Sequence, residues 1–311
     1  MLALISRFDV AVSSNSQKYT EMKRFQSLIE RCLGAKIWKV RAMAARCLHA
    51  VLDPDDLSEE ISDIFAKVRG YTQNQLHGVL MGIKCLGEVY SQRAIKDTVF
   101  GTVCTSKTEI LDAIISGMHS CLDLVLRENR NPLTKAAFVE IVHLVLRNED
   151  KANGLKALVV SICVEDIRLG INSTIGWQWY LEQVATLALQ TLSNEPSISE
   201  ARSGDILRLL LSNPNEEVVL KTLSWLNESA PKGIFVDSVQ QALWGLITQD
   251  KWDGVCAMAL RAMSNVIDGH ERISLETCIT EYHKNDIMPV KEGWITVAGY
   301  AARMVNPLSS I

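Results

Sequence analysis

The sequence predicts an all-α protein made of stacked helix pairs, an α-solenoid, and three observations carry that prediction. Helix breakers are scarce: 311 residues contain 7 prolines and 17 glycines, below the roughly 5% and 7% of average usage. Apolar residues recur at helical spacing along nearly the whole chain, which predicts about fourteen helices and no series of strands. Finally, VRAMAARCLHAVLD (Val40 to Asp53) aligns without a gap with VCAMALRAMSNVID (Val255 to Asp268), and Trp38 and Trp252 stand just before the two copies. The offset, about 215 residues, is close to five units of the roughly 40 to 47 residues used by two-helix repeats.

Taken in order, the elements follow from stripes and caps. Val40, Met43, Ala44, Cys47, Leu48 and Val51 fall on one face of a helix and predict a core stripe. In NQLHGVLMG, residues Gln73, Asn74, Gln75 and His77 open a helix that turns apolar after one turn. Their side chains are suited to capping that helix or to meeting a partner at its N-terminal end. Gly78 and Gly82 lie one turn apart in the same helix; since glycine there costs about 1 kcal/mol against alanine, a close helix approach is expected. Trp177, Tyr180, Leu181, Val184, Ala188 and Leu192 form a second stripe, and NPNEEVVLKTLSWL (Asn213 to Leu226) sits one unit before the second copy. Between the stripes, LDPDDLSEE, NRNPLTK, SNEPSISE, LSNPNEEVV and ESAPKG read as helix starts. Side-chain oxygens there can accept free N–H groups, and the acids complement the helix dipole.

Composition narrows the function. The net charge of -4 offers no global attraction for phosphate, so a nucleic-acid role needs a local basic patch. Residues 21–50 supply one: Lys23, Arg24, Arg31, Lys36, Lys39, Arg41 and Arg46 stand against only Glu21 and Glu30. On the helical wheel Arg41 lies at the edge of the apolar stripe, which assigns it to structure, whereas Lys39 and Arg46 lie on the outward flank. Lys36, Lys39 and Arg46 are therefore the candidate RNA contacts, with Gln75 and His77 as further candidate partner contacts. The alternative is a solvated face, partly neutralised by Asp53, Asp55, Asp56, Glu59, Glu60 and Asp63.

Catalytic and cofactor chemistry has little to stand on. The 8 cysteines include no C-x-x-C, the histidines have no ligand spacing, and Gly-x-Gly does not occur, so no metal and no cofactor is expected. Ser116, His119 and Asp123 match a triad by type, but no G-x-S-x-G elbow accompanies them. No run of about 18 apolar residues occurs, because Leu169 to Asn194 is broken by Glu182. The start lacks the pattern of a signal peptide. The expectation is a cytoplasmic protein with no membrane span and no small-molecule substrate.

Val40, Arg41, Ala44, Ala45 and Leu48 resemble the second helix of a HEAT repeat, which implies a HEAT/armadillo-like, right-handed α-solenoid, a single domain over 1–311 of about seven helix pairs. In HEAT repeats an Asp before that helix pairs with its Arg, giving a ladder through successive repeats. Arg41 and Asp250 hold ladder positions here, but Ala35 stands where the first Asp would be and Cys256 where the second Arg would be.

WKVRAMAARCL, followed by NQLHGVLMGIKCL (Asn74 to Leu86), resembles the C-terminal part of the THADA family, most strongly over residues 25–90. That family includes the fungal regulatory subunit of the tRNA 2'-O-ribose methyltransferase acting at anticodon-loop position 32. The resemblance implies a non-catalytic scaffold that binds a separate methyltransferase and helps present tRNA. Family members are far longer, so the chain is expected to be a C-terminal piece, and the family's R-R-S-A-G-L-P motif has no counterpart in it. A general HEAT-type adaptor for protein cargo, without RNA contact, is the alternative.

Overall fold

A computed structural model describes residues 2–5, 21–52, 56–100, 107–168, 175–194, 200–230, 237–248, 253–266, 275–284 and 288–305. Every regular element among them is helical. The chain divides into two compact units, one of Met1–Cys163 with Thr174–Leu187, the other of Val164–Ser173 with Ala188–Ile311.

In the first unit the helices alternate between two layers. One layer holds α1 (Gln26–Leu33), α3 (Leu57–Ala66) and α5 (Lys107–Leu122); the other holds α2 (Trp38–Cys47), α4 (Gln73–Phe100) and α6 (Pro132–Glu140). Each packs on its sequence neighbour or on the next helix of its own layer, as α2 on α4, α3 on α5 and α4 on α6. This is the stacking expected of an α-solenoid. Helices α7 (Asn153–Arg168) and α8 (Ile175–Asn194) contribute residues to both units.

The second unit repeats the plan with α9 (Glu200–Leu211), α10 (Glu216–Glu228), α11 (Asp237–Thr248), α12 (Asp253–Val266), α13 (Leu275–Lys284) and α14 (Met288–Val305). Here α9 packs on α11, and α10, α12 and α14 pack in succession.

Local chemistry explains the helix starts. Asn131 is the N-cap of α6, accepting from the N–H groups of Leu133 (2.9 Å) and Thr134 (3.4 Å), with Pro132 at the first helical position. Asn129 Oδ1 in turn accepts from Asn131 N at 2.7 Å. The same device opens α10: Asn215 Oδ1 accepts from Glu217 N (3.1 Å) and Asn213 Oδ1 from Asn215 N (2.9 Å). Each cap satisfies donors that the first helical turn leaves free. Asp56 departs from expectation, for it sits at the N-cap of α3 without a side-chain capping bond. The remaining turn residues 53–55, 195–199 and 231–236 lie outside the described residues.

Two further features differ from a plain helical reading. Helices α5 and α6 widen into π-helical turns, Asp123–Glu128 and Ile141–Val145. Gly78 is forced by backbone contact, since a Cβ there would meet the Leu33 carbonyl at the end of α1, whereas one at Gly82 would meet only the Leu48 side chain at 2.7 Å.

The two sequence copies run through α2 and α12, and burial matches at five aligned positions. Ala44 and Ala259, Ala45 and Leu260, Cys47 and Ala262, and Leu48 and Met263 are buried, while Arg46 and Arg261 are exposed. Among the described residues no helix is long and apolar enough to cross a membrane.

Candidate functional site

Of the residues singled out from sequence, Lys36, Lys39, Arg41, Gln75 and His77 lie at the N-terminal ends of α2 and α4, and Arg46 lies in the last turn of α2. Arg41, in the first turn of α2, is 6% exposed. Its Nη1 donates to the carbonyls of Ala35 (2.6 Å) and Lys36 (3.0 Å) and to Asn74 Oδ1 (3.3 Å), and its Nε donates to His77 Nδ1 at 3.2 Å. The carbonyl of Ala35 thus accepts where a HEAT repeat would present an Asp carboxylate. Burial holds the guanidinium below its ordinary pKa. Arginine starts so far above neutrality that the charge persists.

This clamp ties the α1–α2 loop to the start of α4. Because arginine only donates, His77 Nδ1 must be the unprotonated nitrogen and the ring proton sits on Nε2. That Nε2 is buried and lacks a hydrogen-bond partner among the described residues. His77 is 3% exposed, and burial together with the neighbouring Arg41 charge lowers its pKa to about 4.

Gln75 is also committed within the chain. Its Oε1 accepts from Thr72 N and Thr72 Oγ1, both at 2.9 Å, while Gln75 N donates to Thr72 Oγ1 at 3.4 Å. This is a capping box, in which a Thr and a Gln three residues apart satisfy each other's backbone donors. Gln75 thus caps its own helix, one of the two roles open to it from sequence, whereas His77 accepts from Arg41 of α2 and takes no part in the cap.

Lys36, Lys39 and Arg46 are placed differently. All three are exposed, and none of their side chains has an ion pair or hydrogen bond among the described residues. Lys39 and Arg46 lie seven residues apart, in one row along the outer face of α2. Between Lys36 and Lys39, Ile37 is 65% and Trp38 48% exposed. Sequence reading passed over this pair. The signal was present, since the wheel that turns Lys39 and Arg46 outward places Trp38 off the buried stripe as well.

Asp250 lies outside the described residues, so its ladder role has no geometry. At Cys256, which replaces arginine in the second copy, the thiol donates to the Ile247 carbonyl at 3.7 Å. It is a weak counterpart of the bond from Arg41 to Ala35.

Contacts that the sequence did not announce extend from α4 to α6. Gln73 Nε2 donates to Thr134 Oγ1 (2.6 Å) and Asn129 Oδ1 (3.3 Å), and Asn129 Nδ2 donates back to Gln73 Oε1 at 3.1 Å. Lys84 pairs with Glu140 at 2.8 Å. Buried Lys135 lies 5.7 Å from the ring centres of both Trp177 and Tyr180.

A triad is not assembled from Ser116, His119 and Asp123. All three are exposed, and Asp123 pairs with Arg127 at 2.9 Å. Burial pushes the thiols of Cys85 and Cys121 up to about 11 and about 12. Such thiols are poor nucleophiles, because the thiolate is the reactive form.

Residues 1–86 match the family described as Trm732, C-terminal TPR repeats. The chain is also similar to the tRNA (32-2'-O)-methyltransferase regulator trm732 of Schizosaccharomyces pombe, at 24% identity over 98% of its own length and 21% of that protein. It therefore spans about a fifth of the length of the curated relative it matches. The family description speaks of TPR rather than HEAT repeats; both are stacks of antiparallel helix pairs.

Proposed function

We propose, from the premise that the chain is a Trm732/THADA-like protein, that it is a non-catalytic scaffold for tRNA 2'-O-ribose methylation at anticodon-loop position 32. The observation that carries this reading is the similarity along 98% of the chain to a protein named as a regulator of that methyltransferase. The chemistry would belong to a separate methyltransferase subunit. This chain would act by position, raising the effective concentration of enzyme and tRNA and fixing their orientation, which requires no catalytic group or cofactor of its own. Its place of work would be the cytoplasm.

Within that role, the tRNA-facing residues are Lys36, Lys39 and Arg46. Their side chains are exposed on a chain whose overall charge is negative, so attraction for a phosphate backbone is concentrated at one place. Arg41, though basic, is occupied internally. Its task is to hold the Ala35 and Lys36 carbonyls, and thereby the loop from which the patch is displayed.

The test is co-purification of the full-length protein with a tRNA methyltransferase, together with mapping of 2'-O-methylation at tRNA position 32 in cells that lack it. Loss of the modification is expected. Unchanged methylation would overturn the proposal and leave a protein-only adaptor as the reading.

A further inference from the structure

We infer that Trp38 is a stacking platform for an unpaired RNA nucleotide, with Lys36, Lys39 and Arg46 holding the flanking phosphates. This rests on the proposal that the patch meets RNA, and adds to it the form of RNA and the residue that selects it.

Trp38 is the most exposed tryptophan among the described residues. Trp244, the next, rests edge-on against Trp294 at 6.3 Å, whereas the Trp38 indole has no aromatic, cation–π or hydrogen-bond partner among the described residues. The backbone that carries the ring is also held in place. It opens α2 directly after the loop that Arg41 pins through the carbonyls of Ala35 and Lys36. Arg41 is anchored in turn by Asn74 and His77 of α4.

The surroundings select the occupant. Lys36 and Lys39 bracket the Ile37–Trp38 pair, and Arg46 continues the row, so cations edge the apolar surface. A protein helix seeking a hydrophobic groove would gain little from that edging, whereas a nucleic-acid strand carries both a π-face and a regular phosphate charge. Bases in a duplex are covered on both faces by their neighbours. Only an unpaired nucleotide offers a free face to the indole while its phosphates reach the cations.

The experiment uses the 311-residue chain and a fluorescently labelled, unstructured pyrimidine RNA oligonucleotide. A duplex of equal length is the control, and anisotropy is read across a salt series. Trp38→Ala is expected to weaken single-strand binding by roughly tenfold or more, the usual scale for loss of one stacked base. The salt slope should be unchanged, duplex binding unaffected and Trp38→Phe largely competent. Combined Lys36→Glu, Lys39→Glu and Arg46→Glu should instead flatten the salt slope.

Photo-cross-linking of a 5-iodouridine oligonucleotide to the unmutated chain supplies a readout independent of any variant's folding, with Trp38 as the expected attachment point. Full single-strand affinity in Trp38→Ala, with the charge reversals still damaging, would overturn the stacking role and leave RNA contact standing. Absence of salt-dependent RNA binding by the unmutated chain would overturn the RNA reading itself. Loss of methyltransferase co-purification in Trp38→Ala at unchanged RNA affinity would reassign the surface to protein and overturn the inference.

Discussion

Arg41 carries its charge into the interior, and among the described residues it meets four neutral acceptors rather than a carboxylate. Taking a cation out of water costs several kcal/mol. Hydrogen bonds to a charged group return about 1.5 to 3 kcal/mol each; Nη1 has two hydrogens for its three acceptors, so the clamp amounts to about three full bonds, which together offset that cost. One acceptor, His77 Nδ1, keeps its lone pair only while the ring is neutral, which makes the clamp sensitive to acid. Folded His77 takes up its proton near pH 4, against an ordinary value of 6.5. Between those limits the unfolded chain binds more protons than the folded one. Stability is therefore full above pH 6.5, falls as the pH drops through the window and levels off below 4. The total is roughly 3 kcal/mol for a shift of this size. His77→Gln, whose amide oxygen can accept without titrating, should flatten the stability-against-pH curve between 4 and 6.5 in urea unfolding; an unaltered slope would refute the assignment. That Arg41 turns inward was legible from its place at the edge of the stripe. Its partners were not, because backbone carbonyls have no side-chain signature and Ala35 offers none of the expected carboxylate.

At the scale of the element, short-range chemistry could be read and long-range packing could not. The caps at Asn131 and Asn215 follow from Asn-x-Asn spacing alone, since each asparagine serves a donor two or three residues ahead. Thr72 and Gln75 form a capping box in the same local way. The π-helical turns ending α5 and α6 have no comparable local cause in the sequence. Glycines lie between the two cases. Gly78 signalled a close approach, but only the fold names the Leu33 carbonyl as what it approaches. Gly154, in the first turn of α7, has open space around the position a Cβ would occupy. The two give a test with opposite signs. Gly154→Ala should stabilise by up to about 1 kcal/mol through helix propensity. Gly78→Ala gains the same propensity, but the clash with a fixed carbonyl costs about 1 to 3 kcal/mol, so destabilisation is expected. Thermal melts of both variants decide it, and stabilisation by Gly78→Ala would show that α1 and α4 can separate without cost.

Across the first unit, contacts at successive N-termini of one layer form a staircase. Arg41 of α2 reaches Asn74 and His77 of α4, and Gln73 of α4 reaches Asn129 and Thr134 at the start of α6. Each step joins only neighbours, as expected where stability is a sum of repeat and nearest-neighbour terms. The repeat itself was legible because Ala-Met-Ala and an outward arginine recur at the same spacing in α2 and α12. The staircase was not, because its members are different residue types at each step and no periodic pattern links them. Such a stack predicts how damage spreads. Arg41→Ala leaves the Ala35 and Lys36 carbonyls and Asn74 without their donor, and a buried acceptor left unsatisfied costs about 1 to 3 kcal/mol. In hydrogen exchange followed by mass spectrometry, protection should fall most in α1, α2 and the first turns of α4, and less in α6. Equal loss throughout the unit would mean that it opens as one block, and the nearest-neighbour account would fail. A graded loss would also identify the step from α2 to α4 as the one that holds Lys36, Trp38 and Lys39 in place. Arg41→Ala should then weaken single-stranded RNA binding even though Arg41 is too deeply buried to touch RNA.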